Sequence, residues 1–458
     1  MDDDFGVQMD HNGPAEEAYT GRRTAFREHE RNPYLEADNP REWARVPPPQ
    51  GTWRGQIPEV GNSRQGDLRY QNPAMATPGD LARTAWYNYN GKRSVKVDWP
   101  LVPRSYLGPF QLLEELGDGG FGVVYRTELE GHSLALKVTR PFSNKDRSRY
   151  VTELENLQKL SVNRHHHVIE LIGCYELKGR VESRVGLLIW PVARCDLSQF
   201  LQHLDTTLLL ERRVNRPHQS GSVYTPLERE ELEAFRVLSD MIPSYPFDPV
   251  GQHIPMQLQL NVVRESSICR LWMTFGCLAQ TIAHLHNDHG MRHRDLNAKQ
   301  ILLATDGLWL ADFGLSKNRS EQSQSTTNNG DATSPNYHAP ERVAAHLQPG
   351  GDVRCGKPED IFALGCIFLE MAYRVCGLDI DDTPIRKPYH ENLSHLDDWL
   401  QPLQASGQFP IPLVHTLRDM VASEPRLRPT ITQVIQSLRS TQSPGGVPLF
   451  NNCCSSRT

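Results

Sequence analysis

Two aspartates, a lysine and a cluster of glycines frame the chemistry this sequence can do. Asp295 sits in His293-Arg294-Asp295-Leu296 and Asp312 in Ala311-Asp312-Phe313-Gly314, with the apolar run Ile301-Leu302-Leu303 between them. Carboxylates at the edges of short apolar strands can converge on one site, where one orients a hydroxyl nucleophile and the other holds Mg²⁺ on phosphates. Taken singly, either is an ordinary turn aspartate. Lys137 ends the run Leu134-Ala135-Leu136-Lys137. An ammonium in an apolar strand is costly unless it meets anions, and phosphates plus a carboxylate supply them. Glu153 is the better carboxylate, because Leu157 and Leu160 follow it on the core-facing side of a helical period; Glu155 is the alternative. Upstream, Gly117, Gly119 and Gly122 surround Phe121 and precede Val124. Glycine leaves backbone amides open to phosphate oxygens and permits a tight turn. A dinucleotide fold needs a helix to open at Gly122, but a second β-rich run follows, which suits a hairpin lid.

The elements that must position these residues differ along the chain. From about residue 109 short strand-like runs rich in Val, Leu and Tyr flank the glycines, and beyond about 150 helical periods take over. Leu271, Phe275, Leu278, Ile282 and Leu285 mark one helix. The apolar stretch from Ile361 to Tyr373, interrupted by Glu370, is too short for a membrane span and reads as a buried helix. Residues 204–266 read as an insert broken by Pro217, Pro226, Pro243, Pro246, Pro249 and Pro255. Within it, Leu227, Leu232, Phe235, Leu238 and Ile242 suit one amphipathic helix. Residues 1–108, rich in Pro, Gly, Asn and Arg, show no sustained period and read as a mostly disordered arm. Trp43, Trp53, Trp86 and Trp99 in that arm are candidate docking anchors, and Val95 to Phe110 a first strand or flap on the folded domain. Residues 443–458 read as a flexible, exposed tail.

Composition narrows the partners. A net charge of -6 over 458 residues gives no global electrostatic reason to expect nucleic acid or an anionic membrane. The nine cysteines are scattered with no CxxC pair, and the acidic start lacks a basic region and apolar core, so an intracellular, reducing address is expected, cytoplasmic with the nucleus as an alternative. Cys453-Cys454 could anchor the tail to a membrane only if both were acylated. A metal role for His165-His166-His167 is not expected, since three adjacent histidines cannot all face one ion.

The ordered set of motifs resembles eukaryotic protein kinases. The resemblance rests on the glycine segment 117–124, Lys137, Glu153, the His293-Arg294-Asp295-Leu296 and Asp312-Phe313-Gly314 motifs, Ala339-Pro340-Glu341, the apolar helix from Asp360 and Arg428-Pro429. It implies an α+β, bilobal protein kinase fold over 109–442, with a small β-rich N-lobe (109–190), a larger, mainly helical C-lobe (191–442) and the insert in the C-lobe. It implies ATP with Mg²⁺, or Mn²⁺ in its place, as cofactors and protein substrates as partners, with the arm and the insert as possible docking segments. Gly117, Gly119, Phe121, Gly122, Val124, Ala135 and Lys137 would line the ATP site, with Ile189 as gatekeeper and the backbone of Trp190 to Val192 receiving adenine. Lys137 would pair with Glu153, Asp295 would serve as catalytic base or nucleophile orienter, and Asp312 would bind magnesium. Glu341 would pair with Arg428, and Leu157, His293 and Phe313 would stack in the column linking the lobes.

Two departures bear on activity. Gln300 stands where the family has an asparagine ligand for a second magnesium, and its extra methylene displaces the amide oxygen by about 1.5 Å in a site that demands near-octahedral geometry. Asn297 replaces the lysine of Ser/Thr kinases, removing a positive charge from the transferring phosphoryl, with Lys299 as a possible substitute. Thr333-Ser334-Pro335-Asn336-Tyr337 resembles the corresponding Ser/Thr-kinase segment and points to Ser/Thr hydroxyls as acceptors. Phosphorylation near Ser325 to Thr327, read by Arg294, is the expected control. The rival reading is a pseudokinase scaffold or adaptor that binds ATP weakly or not at all.

Overall fold

The computed structural model describes residues 77–90, 94–98, 110–119, 122–143, 147–178, 182–214, 229–242, 255–318, 335–347, 356–378 and 385–455. Phe121, Trp43, Trp53, Trp99 and the segment 319–334, with Ser325, Thr326 and Thr327, lie outside them.

The first described element corrects the reading of the arm. Helix α1 (Pro78–Asn90) starts with proline in its first turn, and Thr77 and Asp80 cap it reciprocally: each backbone N–H donates to the other's side-chain oxygen at 3.2 Å. Ala82, Ala85 and Trp86 form its buried side. Strand β1 (Ser94–Asp98) follows, then β2 (Glu114–Gly119), β3 (Gly122–Leu129), β4 (His132–Thr139), β5 (Phe142–Ser143), helix α2 (Arg147–Leu160), β6 (Glu170–Lys178) and β7 (Glu182–Trp190). They build one sheet in the order β1-β6-β7-β4-β3-β2, with β5 on β7. β1 runs parallel to β6, so a strand does begin within the expected flap; the other pairings are antiparallel.

Strand β4 shows why this sheet needs covers on both faces. Successive side chains point to opposite faces. Leu134, Leu136 and Val138 join Trp86, Tyr175, Ile172 and Leu188 in a cluster under α1, whereas Ala135 joins Leu157, Leu187 and Ile189 on the side that continues into the helical lobe. Gly173 is required by this packing, because a Cβ there would lie 2.2 Å from the Trp86 ring. Around the start of α1, Arg164 pairs with Asp80 at 2.7 Å and with Glu170 at 3.2 Å, and Arg83 also meets Glu170.

The second lobe comprises β8 (Cys195–Asp196), α3 (Leu197–Val214), α4 (Arg229–Asp240), α5 (Met256–Ala283), β9 (Met291–Arg292), β10 (Ile301–Ala304), β11 (Gly307–Leu310), β12 (Lys317–Asn318), α6 (Pro340–Leu347), α7 (Lys357–Val375), α8 (Leu396–Ala405), α9 (Ile411–Met420), α10 (Ile431–Ser440) and α11 (Asn452–Ser455). Every residue of α7 from Glu359 to Val375 is buried, as expected of a central helix. The insert is more helical than its prolines suggest. α3 runs on to Val214, and α5 begins at Met256 rather than near Leu271, with Leu260 and Val263 fully buried and Arg264 paired to Glu211 of α3 at 3.2 Å. The amphipathic helix is present as α4, but it buries Ala234, Val237, Leu238 and the following Met241 while Leu232 is exposed.

The segment after 442 is not the exposed tail expected from its polar text. Gly276 of α5 donates its N–H to Leu449 O at 2.8 Å, and Leu449 and Cys454 are buried. A Cβ at Gly276 would lie 2.4 Å from both Leu449 O and the Phe450 ring, so the missing side chain admits the tail. Among the described residues no helix is long and apolar enough to cross a membrane.

Candidate active site

Strand β4 carries Lys137 between Val124 of β3 and Leu187 of β7. Its Nζ lies 2.7 and 2.8 Å from the two carboxylate oxygens of Glu153 on α2, and 3.8 Å from Asp312 Oδ1. Burial works against the ammonium, but the Asp312 and Glu153 carboxylates outweigh it and hold Lys137 above the ordinary lysine range. Glu153, rather than Glu155, is thus the partner. One residue type that sequence reasoning missed completes this joint. Asn156 is buried on α2 and donates through Nδ2 to Phe313 O at 2.8 Å and Ser316 O at 2.9 Å. Its signal was a polar residue one turn beyond Glu153, on the same core-facing stripe.

Asp312 lies just past β11 with φ at 61°, a left-handed conformation unusual for a residue with a side chain. Burial opposes its ionisation, yet Lys137, the charge of His293 when protonated and the Gly314 N–H together keep the carboxyl below its usual range. Gln300 reaches the same place, its Nε2 donating to Asp312 Oδ2 at 3.5 Å, and its backbone carbonyl accepts from Ala311 N at 2.9 Å. Oxygen donors suit a hard divalent cation, and the Asp312 carboxylate with the Gln300 amide oxygen, once that amide is turned over, fits magnesium chemistry.

Asp295 is buried at the start of a turn whose shape Asn297 sets. Asn297 Nδ2 donates to Asp295 O and Asn297 Oδ1 accepts from Lys299 N, both at 2.9 Å, so this side chain, 1% exposed, caps the short turn Ala298–Gln300 instead of facing a substrate. The Lys299 side chain is exposed; burial pushes the Asp196 carboxyl above its usual range, and the Lys299 charge only partly offsets this. Asp360, at the start of α7, holds the segment before Asp295 from behind. Its carboxylate accepts from the backbone N–H of His293 and of Arg294, each at 2.9 Å, and meets His286 Nε2 at 2.8 Å. Burial alone would raise its pKa, but these bonds and the histidine charges bring it down to about 2. The His293 ring donates to Ala311 O at 2.9 Å and packs 5.3 Å from the Phe313 ring, which is fully buried, as is Leu157.

Ala135 and Ile189 are buried cross-strand partners that floor the space beside Lys137. Trp190 ends β7, its ring edge-on to Trp309 at 5.9 Å, and its peptide bond to Pro191 is cis; Val192 is partly buried beyond it. The three glycines have different duties. Among the described residues, a Cβ added at Gly117 meets nothing within 4 Å and one at Gly119 only Gly122 O at 3.8 Å, leaving both backbones room for a ligand. At Gly122 it would lie 2.3 Å from Val138 O, so strand packing requires this one. Ser316, just past the Asp312-Phe313-Gly314 motif, is buried and donates to His293 O at 3.2 Å. Farther along, Arg428 makes a bidentate pair with Glu341, both contacts 2.8 Å, and also donates to Ala422 O and Pro358 O.

Comparison with known proteins agrees with this geometry. The family model for protein tyrosine and serine/threonine kinases matches residues 110–438. The sheep (Ovis aries) activin receptor type-2A is 24% identical over 292 residues, covering 61% of this chain and 44% of that protein. The mouse (Mus musculus) serine/threonine-protein kinase Nek10 is 24% identical over 281 residues, 59% of this chain and 19% of its own. The tyrosine-protein kinase receptor torso of Bombyx mori is 26% identical over 218 residues, 46% of this chain and 24% of its own. The matched stretch is therefore less than half the length of each of these relatives, of which one is named a tyrosine kinase and one a serine/threonine kinase. With the family model spanning most of its length, the chain belongs to the protein tyrosine and serine/threonine kinase family.

Proposed function

We propose that this chain transfers the γ-phosphoryl group of ATP to Ser or Thr hydroxyls of protein substrates. Members of the family typically use ATP with Mg²⁺. The observation that carries the reading is the convergence of Lys137, Glu153 and Asp312, with two carboxylates from different segments held within 3.8 Å of the lysine nitrogen. Such a partly buried cluster suits the binding of a polyanion with its cation. Lys137, oriented by Glu153, would hold phosphate oxygens; Asp312 and Gln300 would hold magnesium, which supplies charge neutralisation on the phosphates. The open backbones of Gly117 and Gly119, with Phe121 and Gly122, would cover the phosphates, and Val124, Ala135, Ile189, Trp190 and Val192 would enclose the base. Asp295 would accept the proton from the attacking hydroxyl, and Lys299 is the candidate replacement for the charge that Asn297 lacks.

The Ser/Thr assignment rests on the segment Thr333 to Tyr337, and regulation by phosphate near Ser325 to Thr327 rests on the proximity of Arg294 to Asp295 in sequence. The test is transfer of labelled phosphate by the full chain, with Mg²⁺ and separately Mn²⁺, onto itself and a generic protein, followed by phosphoamino-acid analysis. Phosphoserine or phosphothreonine that disappears with Asp295→Asn supports the reading. Phosphotyrosine alone would overturn its hydroxyl class. The pseudokinase reading draws on the inward turn of Asn297; it gains if the chain is thermally stabilised by ATP yet transfers no phosphate.

A further inference from the structure

The histidine triplet and the two terminal cysteines, remote in sequence, meet in the fold. His166 Nε2 lies 3.4 Å from Cys454 Sγ and His167 Nε2 lies 3.3 Å from Cys453 Sγ, and the four atoms are all within 4.8 Å of one another. We propose that His166, His167, Cys453 and Cys454 form a structural zinc site that fastens the C-terminal segment to the turn between α2 and β6. This inference is independent of the phosphoryl-transfer reading.

The donor geometry is that of a small tetrahedron slightly opened. With Zn–S near 2.3 Å and Zn–N near 2.0 Å, ligand atoms of a tetrahedral site stand about 3.3 to 3.8 Å apart. The two nitrogen–sulfur contacts already have that spacing, and 4.8 Å, the widest allowed for the rest, is closed by small side-chain rotations. The objection that adjacent histidines cannot share an ion holds for three and not for two. His165 stays outside the set, its ring sandwiched between His166 at 4.5 Å and His284 at 5.1 Å between centroids, while the rings of His166 and His167 stand at 62° to each other. Two imidazoles and two thiolates make a soft, neutralising set for one divalent ion, the donor type that selects zinc over magnesium.

The surroundings prepare the ligands. His167 Nδ1 contacts Leu308 O at 2.9 Å. A carbonyl only accepts, so the proton sits on Nδ1 and the lone pair on Nε2 faces Cys453, the arrangement that outer partners impose on metal-binding histidines. The cysteines are brought there by contacts that need no metal: Leu449 O on Gly276 N, Asn451 N on Cys277 Sγ at 3.4 Å, and the Arg439 guanidinium 5.1 Å from the Phe450 ring. Cys277 Sγ, 4.0 Å from Cys453 Sγ, stands beside the set as a third thiol. On binding, each ligand thiol gives its proton to solvent as its thiolate joins the ion.

The test uses the full chain, purified under reducing conditions. Elemental analysis should find one zinc per chain. After chelation, Co²⁺ should restore the intense visible bands of a tetrahedral site and a near-ultraviolet thiolate charge-transfer band, both abolished by zinc. Both signals should be lost in Cys453→Ser, Cys454→Ser and, because Cys454 is buried and its replacement could disturb the fold, also in the half-buried single variant His166→Ala. The idea is overturned if the reduced wild-type chain holds no zinc and gives no thiolate–cobalt band. It is equally overturned if the bands survive in the variants, or if mass analysis shows Cys277 and Cys453 joined as a disulfide in freshly purified protein without metal.

Discussion

Replacing Asp360 by Asn removes a charge from a carboxylate that accepts three hydrogen bonds at the base of the Asp295 segment. The folded pKa of Asp360 is about 2, against an ordinary value of 3.8. At about 1.4 kcal/mol per unit, preferential ionisation in the fold contributes roughly 2 kcal/mol at neutral pH. Because the folded value is depressed, this contribution is complete above the unfolded pKa, falls to about half near pH 3 and vanishes as pH passes below about 2. Asn keeps the shape and one acceptor oxygen but not the charge. Urea unfolding followed by tryptophan fluorescence should therefore place Asp360→Asn about 2 kcal/mol below the wild type at pH 5 and above, with the gap narrowing toward pH 3. Equal midpoints at pH 5, or a gap undiminished at pH 3, would refute the assignment of Asp360 as a stabilising anion.

Arg428→Met should cost about 3 to 5 kcal/mol, because it removes the bidentate cation partner of the buried Glu341 carboxylate; a parallel Glu341→Gln, Arg428→Met double variant should recover part of the loss in the same urea assay. Trp86→Ala should cost about 3 to 5 kcal/mol by emptying the space between α1 and the sheet, and Gly173→Ala should cost about 1 to 3 kcal/mol by driving a methyl into the Trp86 ring. Differential scanning calorimetry of both variants checks them, and an unchanged midpoint for Trp86→Ala would mean that α1 is not part of the cooperative unit. Gln300→Asn should lower the magnesium concentration needed for half-maximal phosphate transfer by several-fold, since it restores the shorter amide beside Asp312; a higher requirement would show that the longer side chain is the better ligand here.

What the sequence disclosed follows from where the constraint lies. Lys137, Glu153 and Asp312 are legible because each is a charge in apolar text, and a charge there needs a partner. The central helix α7 is legible because burial on all sides writes a continuous apolar run. Helix α1 escaped because two of its three buried apolar side chains are alanines, too small to mark a period, so Trp86 read as an isolated aromatic. The start of α5 escaped because exposed Leu258 and buried Leu260 and Val263 blur one face, and only α3 and α4 decide which leucine is covered. The seat of the tail was out of reach altogether. It depends on an absent side chain at Gly276, and nothing near residue 449 in sequence announces that gap.

The cover that α1 lays over the sheet separates two boundaries usually treated as one. The candidate site motifs and the family match begin near residue 110, but the apolar face formed by Leu134, Leu136, Tyr175 and Leu188 is closed by residues that precede it. A protein begun at residue 109 would retain every candidate catalytic group and present that face to water, where it would act as a sticky surface for other chains. A version of this kinase domain that keeps the face covered therefore retains helix α1.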